Sequence, residues 1–167
     1  MNDAGPQPFQ FRACDLFSAA VHEAAHAHVA ISFGDPAPKI RVFPKDGYIH
    51  GLCQRSIRFH LPHRNRVYAL AGIVAQLLLL DPDLAPIDAF RSIVARHPLI
   101  LSDSDAELAG DFGRQDVADS IMLVRKLWSK IQSTAHEVAM DAAEHYEEYF
   151  QEVEAVFAAA ANPPPSS

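Results

Sequence analysis

Residues 16–34 read Leu16-Phe17-Ser18-Ala19-Ala20-Val21-His22-Glu23-Ala24-Ala25-His26-Ala27-His28-Val29-Ala30-Ile31-Ser32-Phe33-Gly34. This stretch decides the fold and the chemistry together. Phe17, Val21, Ala24, His28 and Ile31 recur at spacings of three and four, the period of one helix face. Asp15 precedes the run as a cap, and Gly34 and then Pro36 follow it as stop signals, so the spacing predicts a helix from about Leu16 to Phe33. Inside that helix His22-Glu23-Ala24-Ala25-His26 is an HExxH pattern. Histidines four apart stand one turn above each other, about 40° apart in direction, so both imidazoles can reach one ion. Zinc suits such a pair. Glu23 stands beside the ligands, placed to take a proton from the attacking water without itself being a ligand.

Outward from this helix the pattern changes. Lys39 to Phe43 alternates around Ile40 and Val42, Pro44-Lys45-Asp46-Gly47 reads as a turn, and Tyr48 to Cys53 returns, a small hairpin. A helix from about Arg64 to Leu80 carries Val67, Ala71, Val74 and Leu78 on one face, and Asp81-Pro82-Asp83 ends it. A short helix, Ile87 to Arg96, comes next; Ser104 and Glu107 then have capping-box spacing at a further helix start. Val117, Ile121, Val124, Trp128, Ile131, Ala135, Val138, Ala142 and Tyr149 follow helical spacing as one long helix or two consecutive ones. The expected fold is mainly α, a helical metallopeptidase-like domain with one small hairpin after the HExxH helix. It would occupy residues 13–160, between a flexible N-terminus, 1–12, and a flexible tail, 161–167.

Two histidines leave the ion short of a third protein ligand. An Asp at a helix start is kept ionised by the exposed backbone N–H groups, which makes Asp105 the first candidate and Asp103 the second; for either one a plain capping role is the bland alternative. His28 lies about 240° round the helix from His22 and belongs to the core, not the metal. His50 and Gly51 lie on the returning strand. His50 could stabilise an oxyanion. Gly51 either admits a substrate backbone or marks a bulge. His60 and His63 carry no assigned role.

Composition narrows the function further. The chain has 14 Lys+Arg against 21 Asp+Glu, a net charge of −7, which argues against nucleic acid as the main partner. All of the excess sits in residues 131–167, which hold seven acids and no Lys or Arg. Acids from Glu137 to Glu154 beside Tyr146, Tyr149 and Phe150 read as a solvated face, or alternatively as a homo-oligomer contact. The longest apolar run, Tyr68 to Leu80, is interrupted by Gly72 and Gln76 and falls short of the roughly 20 residues a membrane helix needs. The two cysteines, Cys14 and Cys53, have no CxxC spacing, so neither a disulfide framework nor a cysteine zinc site is expected. A cytoplasmic location without a membrane partner follows as the expectation.

The run His22 to Ala30, HEAAHAHVA, resembles the HEAGHA(I/L)VA motif of the peptidase domain of the FtsH-type ATP-dependent zinc proteases. Pro38 to Lys45 followed by His50-Gly51 resembles that family's hairpin, and Tyr68 to Gln76 resembles the next helix, with its AGRAAE-like stretch. Ser104-Asp105-Ala106-Glu107-Leu108-Ala109 sits where the family has an NDxxxA-like helix start whose Asp is the third zinc ligand. The resemblance spans about residues 16 to 157. It implies a Zn2+ peptidase with His22, His26 and Asp105 as ligands, Glu23 as general base, and a substrate strand at Tyr48 to Cys53 on which His50 and Gly51 would be the substrate-binding residues. The sequence departs from the family at Ala25 for Gly and Gln76 for Glu, and in a longer connection over residues 81–101. It holds no GxxxxGK[ST]. The expected activity is therefore ATP-independent within this chain, on peptides or unfolded segments. The alternative is a zinc-binding scaffold or adaptor that has lost turnover.

Overall fold

The computed structural model describes residues 13–45, 48–96, 100–145 and Ala158. The expectations for both termini, for the turn at Asp46-Gly47 and for the Tyr146, Tyr149 and Phe150 contact lie outside these residues. The order is α1 (Ala13–Ser32), β1 (Lys39–Lys45), β2 (Tyr48–Gln54), α2 (Pro62–Leu80), α3 (Pro86–Arg96), α4 (Asp103–Ala109) and α5 (Arg114–Glu144). The described chain is mainly helical with one two-stranded antiparallel hairpin, as the sequence predicts. None of the described helices is long and apolar enough to cross a membrane.

Helices α1, α2 and α5 pack against one another and hold the core. Their touching faces are rich in small residues: Ala20, Ala24, Ala25 and Ala30 on α1, Ala69, Ala71 and Ala75 on α2, and Ala135 and Ala139 on α5 are all buried. Small side chains let helix backbones approach closely, while Val21, Leu70, Leu78, Ile121 and Ile131 supply the larger apolar groups. Each of these larger groups contributes about 1.5–3 kcal/mol on leaving water. Burial goes round most of α1 and α2 rather than along one stripe, because each is covered on several sides. The predicted stripe of α1 fails only at its end, where Ile31 is 48% exposed as the helix emerges from the core.

Several boundaries differ from the sequence expectation. Asp15 lies within the first turn of α1, not ahead of it. The helix ends as predicted: Gly34 adopts φ 101°, and the Asp35 N–H bonds back to the Ala30 carbonyl at 3.0 Å, closing the last turn. Pro44 and Lys45 belong to β1, paired with Ile49 and Tyr48; an edge strand tolerates a residue without an N–H. Helix α2 begins two residues early, because Pro62 fits a first turn whose N–H groups have no partner within the helix. The long C-terminal pattern up to Glu144 is one 31-residue helix. His63, without a role in the sequence reading, ties the start of α2 to that of α5: its ring nitrogens lie 2.7 Å from Asp116 and 3.1 Å from Asp119.

Candidate metal centre

Helix α1 presents His22 and His26 one above the other, as HExxH spacing requires, and α4 brings Asp105 to face them. Both imidazole Nε2 atoms lie 3.5 Å from Asp105 Oδ2, and the two Nε2 atoms are 3.0 Å apart. Three ligands on one tetrahedral first-row ion, with bonds of about 2.0–2.2 Å, would stand roughly 3.3–3.5 Å from each other. The two His–Asp separations match that spacing, and the two Nε2 atoms stand slightly closer. His26 and Asp105 are buried and His22 nearly so. Asp103 is exposed and outside this group, so of the two candidate acids the fold brings Asp105 to the histidines.

The hydrogen bonds fix which nitrogen faces the centre. His26 Nδ1 lies 2.8 Å from the Tyr68 carbonyl, which can only accept, so Nδ1 carries the proton. For His22 the logic runs through one more residue. Gln76 Nε2 donates to the Ser18 hydroxyl at 2.9 Å and the Ser18 carbonyl at 3.3 Å, which turns Gln76 Oε1 toward His22 Nδ1, 3.1 Å away. His22 Nδ1–H is then the donor. In their neutral form both rings therefore aim Nε2 lone pairs at one point, a donor set that fits a divalent cation, and when protonated the same atoms donate to Asp105. Gln76 supplies the orienting contact without the charge of the Glu in the resembled family.

Asp105 is held by Ser102, which accepts from its backbone N–H at 3.1 Å and donates to Oδ2 at 2.8 Å. Ser102 is thus the cap of α4, in place of the predicted Ser104. The reason is positional: the first helical turn begins one residue before Ser104. Burial pushes the Asp105 carboxyl up, but hydrogen bonds from His22 and His26 and their charge outweigh it and hold it well below the carboxylate range. Burial likewise pushes the His22 imidazole down, yet its hydrogen bond to Asp105 and the charge of Glu23 raise it above its ordinary value. Burial raises the Glu23 carboxyl, only partly offset by His22 and His26. A carboxylate raised above its usual value beside two imidazoles is a stronger proton acceptor than an exposed one.

Two glycines make room for these side chains. A Cβ on Gly51 would lie 2.6 Å from Glu23 Cγ and 2.7 Å from Cδ, overlapping Oε1 more closely still. A Cβ on Gly72 would lie 2.5 Å from both Cδ2 and Cε1 of the His22 ring and nearer to Nε2. Gly51 is paired with Val42 in an unbroken ladder, which removes the bulge alternative; what approaches it is the Glu23 side chain. The role of Gly72 was invisible in the sequence, where it merely interrupts an apolar run.

His22, Glu23, His26 and Asp105 open into a cleft of about 540 Å³, walled by residues 51–58 and by Tyr68 and Leu108. His50 does not line it. It is exposed and stacks on Phe43, ring centroids 5.9 Å apart. His28 is half-buried away from the centre, with Nε2 2.8 Å from Thr134 Oγ1, a structural histidine as expected. Cys53, on the cleft wall, has its thiol pushed up to about 12, first by burial, and is not a thiolate ligand in waiting. No family model matches this chain, and no curated protein matches it.

Proposed function

We infer that this chain is a zinc metallopeptidase acting on peptides or unfolded segments, ATP-independent within these residues and related in design to the FtsH-type peptidase domain. The observation that carries this reading is the convergence of His22 Nε2, His26 Nε2 and Asp105 Oδ2 beside a buried Glu23 at the floor of an open cleft. His22, His26 and Asp105 would hold the ion. Held there, zinc would supply Lewis acidity toward a water and the scissile carbonyl. Glu23 accepts the proton of the attacking water and passes it to the leaving amine, a task that its raised carboxyl favours. Strand β2 pairs with β1 and contributes Gly51 to Gln54 to the cleft wall, where its other edge would take an extended substrate backbone.

The scaffold alternative calls for a fourth protein ligand closing the site. Among the described residues the cluster holds three, and it faces a cleft rather than packed side chains, which favours turnover. The two readings separate on Glu23→Gln. Zinc content should remain at one equivalent while peptide cleavage collapses; unchanged cleavage by the variant would exclude the mechanism. A reducing, cytoplasmic setting is part of the same proposal.

A further inference from the structure

The cleft also holds a cation that the hydrolytic chemistry does not use. Arg55 lines the cleft, and its guanidinium carbon sits 4.8 Å from the Tyr68 ring centroid and 4.9 Å from that of Phe59. Those two rings are buried and meet edge to face, centroids 5.7 Å apart. Arg55 Nη1 donates to Asn65 Oδ1 at 3.1 Å, and Asn65 in turn donates to the Phe59 carbonyl, also at 3.1 Å. The guanidinium is therefore oriented before any ligand arrives, and most of its five N–H donors are left over. Among the described residues no carboxylate lies within ion-pairing distance of it.

Its position is tied to the centre. Tyr68 touches Arg55 with its ring, packs that ring 4.8 Å from the His26 ring, and accepts the His26 Nδ1–H bond with its carbonyl. Two such contacts place the guanidinium within about 10 Å of the His26 ring, a few residues of extended chain from the reacting bond at about 3.3–3.6 Å per residue. Arg58 lines the same cleft. A divalent ion would offset the charges of Asp105 and Glu23, leaving the two arginines as the local excess in a chain whose net charge is −7.

We propose that Arg55 is a substrate-carboxylate anchor, so that the cleft selects peptides bearing a carboxylate close to the cleaved bond. The carboxylate comes from an acidic side chain or from a free C-terminus. This rests on the hydrolase reading for the word substrate, but the anchor itself is a binding site. A planar guanidinium takes a carboxylate through two parallel hydrogen bonds, which ammonium cannot reproduce.

The test uses the full chain as zinc-loaded Glu23→Gln protein and three fluorescent peptides read by anisotropy. One carries Glu and an amidated end, one carries Gln and a free end, and one carries Gln and an amidated end. At least one carboxylate peptide should bind about tenfold or more tightly than the neutral amide, and which one does identifies the source. Adding Arg55→Gln should abolish that difference, while Arg55→Lys, which keeps a cation over both rings, restores only part of it. Equal binding of all three peptides to the parent protein, or an equal loss for all three in Arg55→Gln, would overturn the anchor. The same peptides are offered to the unmutated chain: selective binding without any cleavage sinks the hydrolase reading alone, and cleavage without selectivity sinks the anchor alone.

Discussion

Replacing Gly72 with alanine sets two physical effects against each other. By helix propensity alone the change should stabilise α2, by roughly 0.8–1 kcal/mol. The structure predicts a different outcome for the centre, because the new methyl would sit 2.5 Å from two carbons of the His22 ring and closer still to Nε2. Ordinary carbon contacts begin near 3.5 Å, so the ring must retreat by about 1 Å. It can do so by turning about its side-chain bonds, which spares the fold. It cannot do so and keep both its bond to Gln76 and its 3.5 Å approach to Asp105. Disturbing an orienting partner alone typically costs a metal site 10–100-fold in affinity. Displacing the ligand should cost at least about 100-fold. Competition against a chromophoric chelator measures the affinity, and urea unfolding of the metal-free protein measures stability. Near-wild-type stability with metal affinity lowered at least 100-fold is expected. Unchanged affinity in a folded Gly72→Ala protein would refute the reasoning.

Gly51→Ala should give the complementary phenotype, since its methyl would meet Glu23 rather than a ligand: metal content stays at one equivalent by elemental analysis, while peptide cleavage falls at least about 100-fold. Gln76→Ala should lower metal affinity by about 10–100-fold in the chelator competition, because His22 loses the acceptor that fixes its tautomer. At low pH, Asp35 should make itself felt. It is buried and accepts from the backbone N–H groups of Ala37, Ser56 and Ile57 and from the Ser56 hydroxyl, fixing the cleft wall. Burial pushes its carboxyl up, but these donors outweigh it and hold it below the ordinary aspartate range. The unfolded chain thus binds the proton more readily. The contribution is complete above about pH 4 to 5 and fades as pH falls through the depressed value. Asp35→Asn should therefore show a shallower loss of stability on acidification in urea titrations between pH 6 and 3; an unaltered pH slope would contradict the assignment.

What was legible in the sequence was local. The helical period, the His22–His26 spacing and the stop at Gly34 each depend on residues within a turn or two, and each stands in the structure. Asp105 was reachable as the first candidate because a helix-start acid has few places to point, and the fold brings it rather than Asp103 to the histidines. The supporting partners were not legible. Gln76 lies 54 positions from His22 and Tyr68 lies 42 from His26, and nothing in a single sequence marks such pairs. Gly51 and Gly72 carry no side chain, so their purpose is defined entirely by what fills the space beside them. Strand alternation turns Gly51 toward Glu23 and leaves His50 stacked on Phe43, a difference that membership of one strand does not reveal. The small residues at 69, 71 and 75 read as an ordinary apolar run until α1 and α5 are seen packed against them.

The most direct measurement is anomalous diffraction at the zinc edge from crystals of the chain loaded with one equivalent of zinc. A single peak is expected within about 2.0–2.2 Å of His22 Nε2, His26 Nε2 and an Asp105 oxygen. A peak elsewhere, or one that touches the histidines while Asp105 stays beyond bonding reach, would contradict the account.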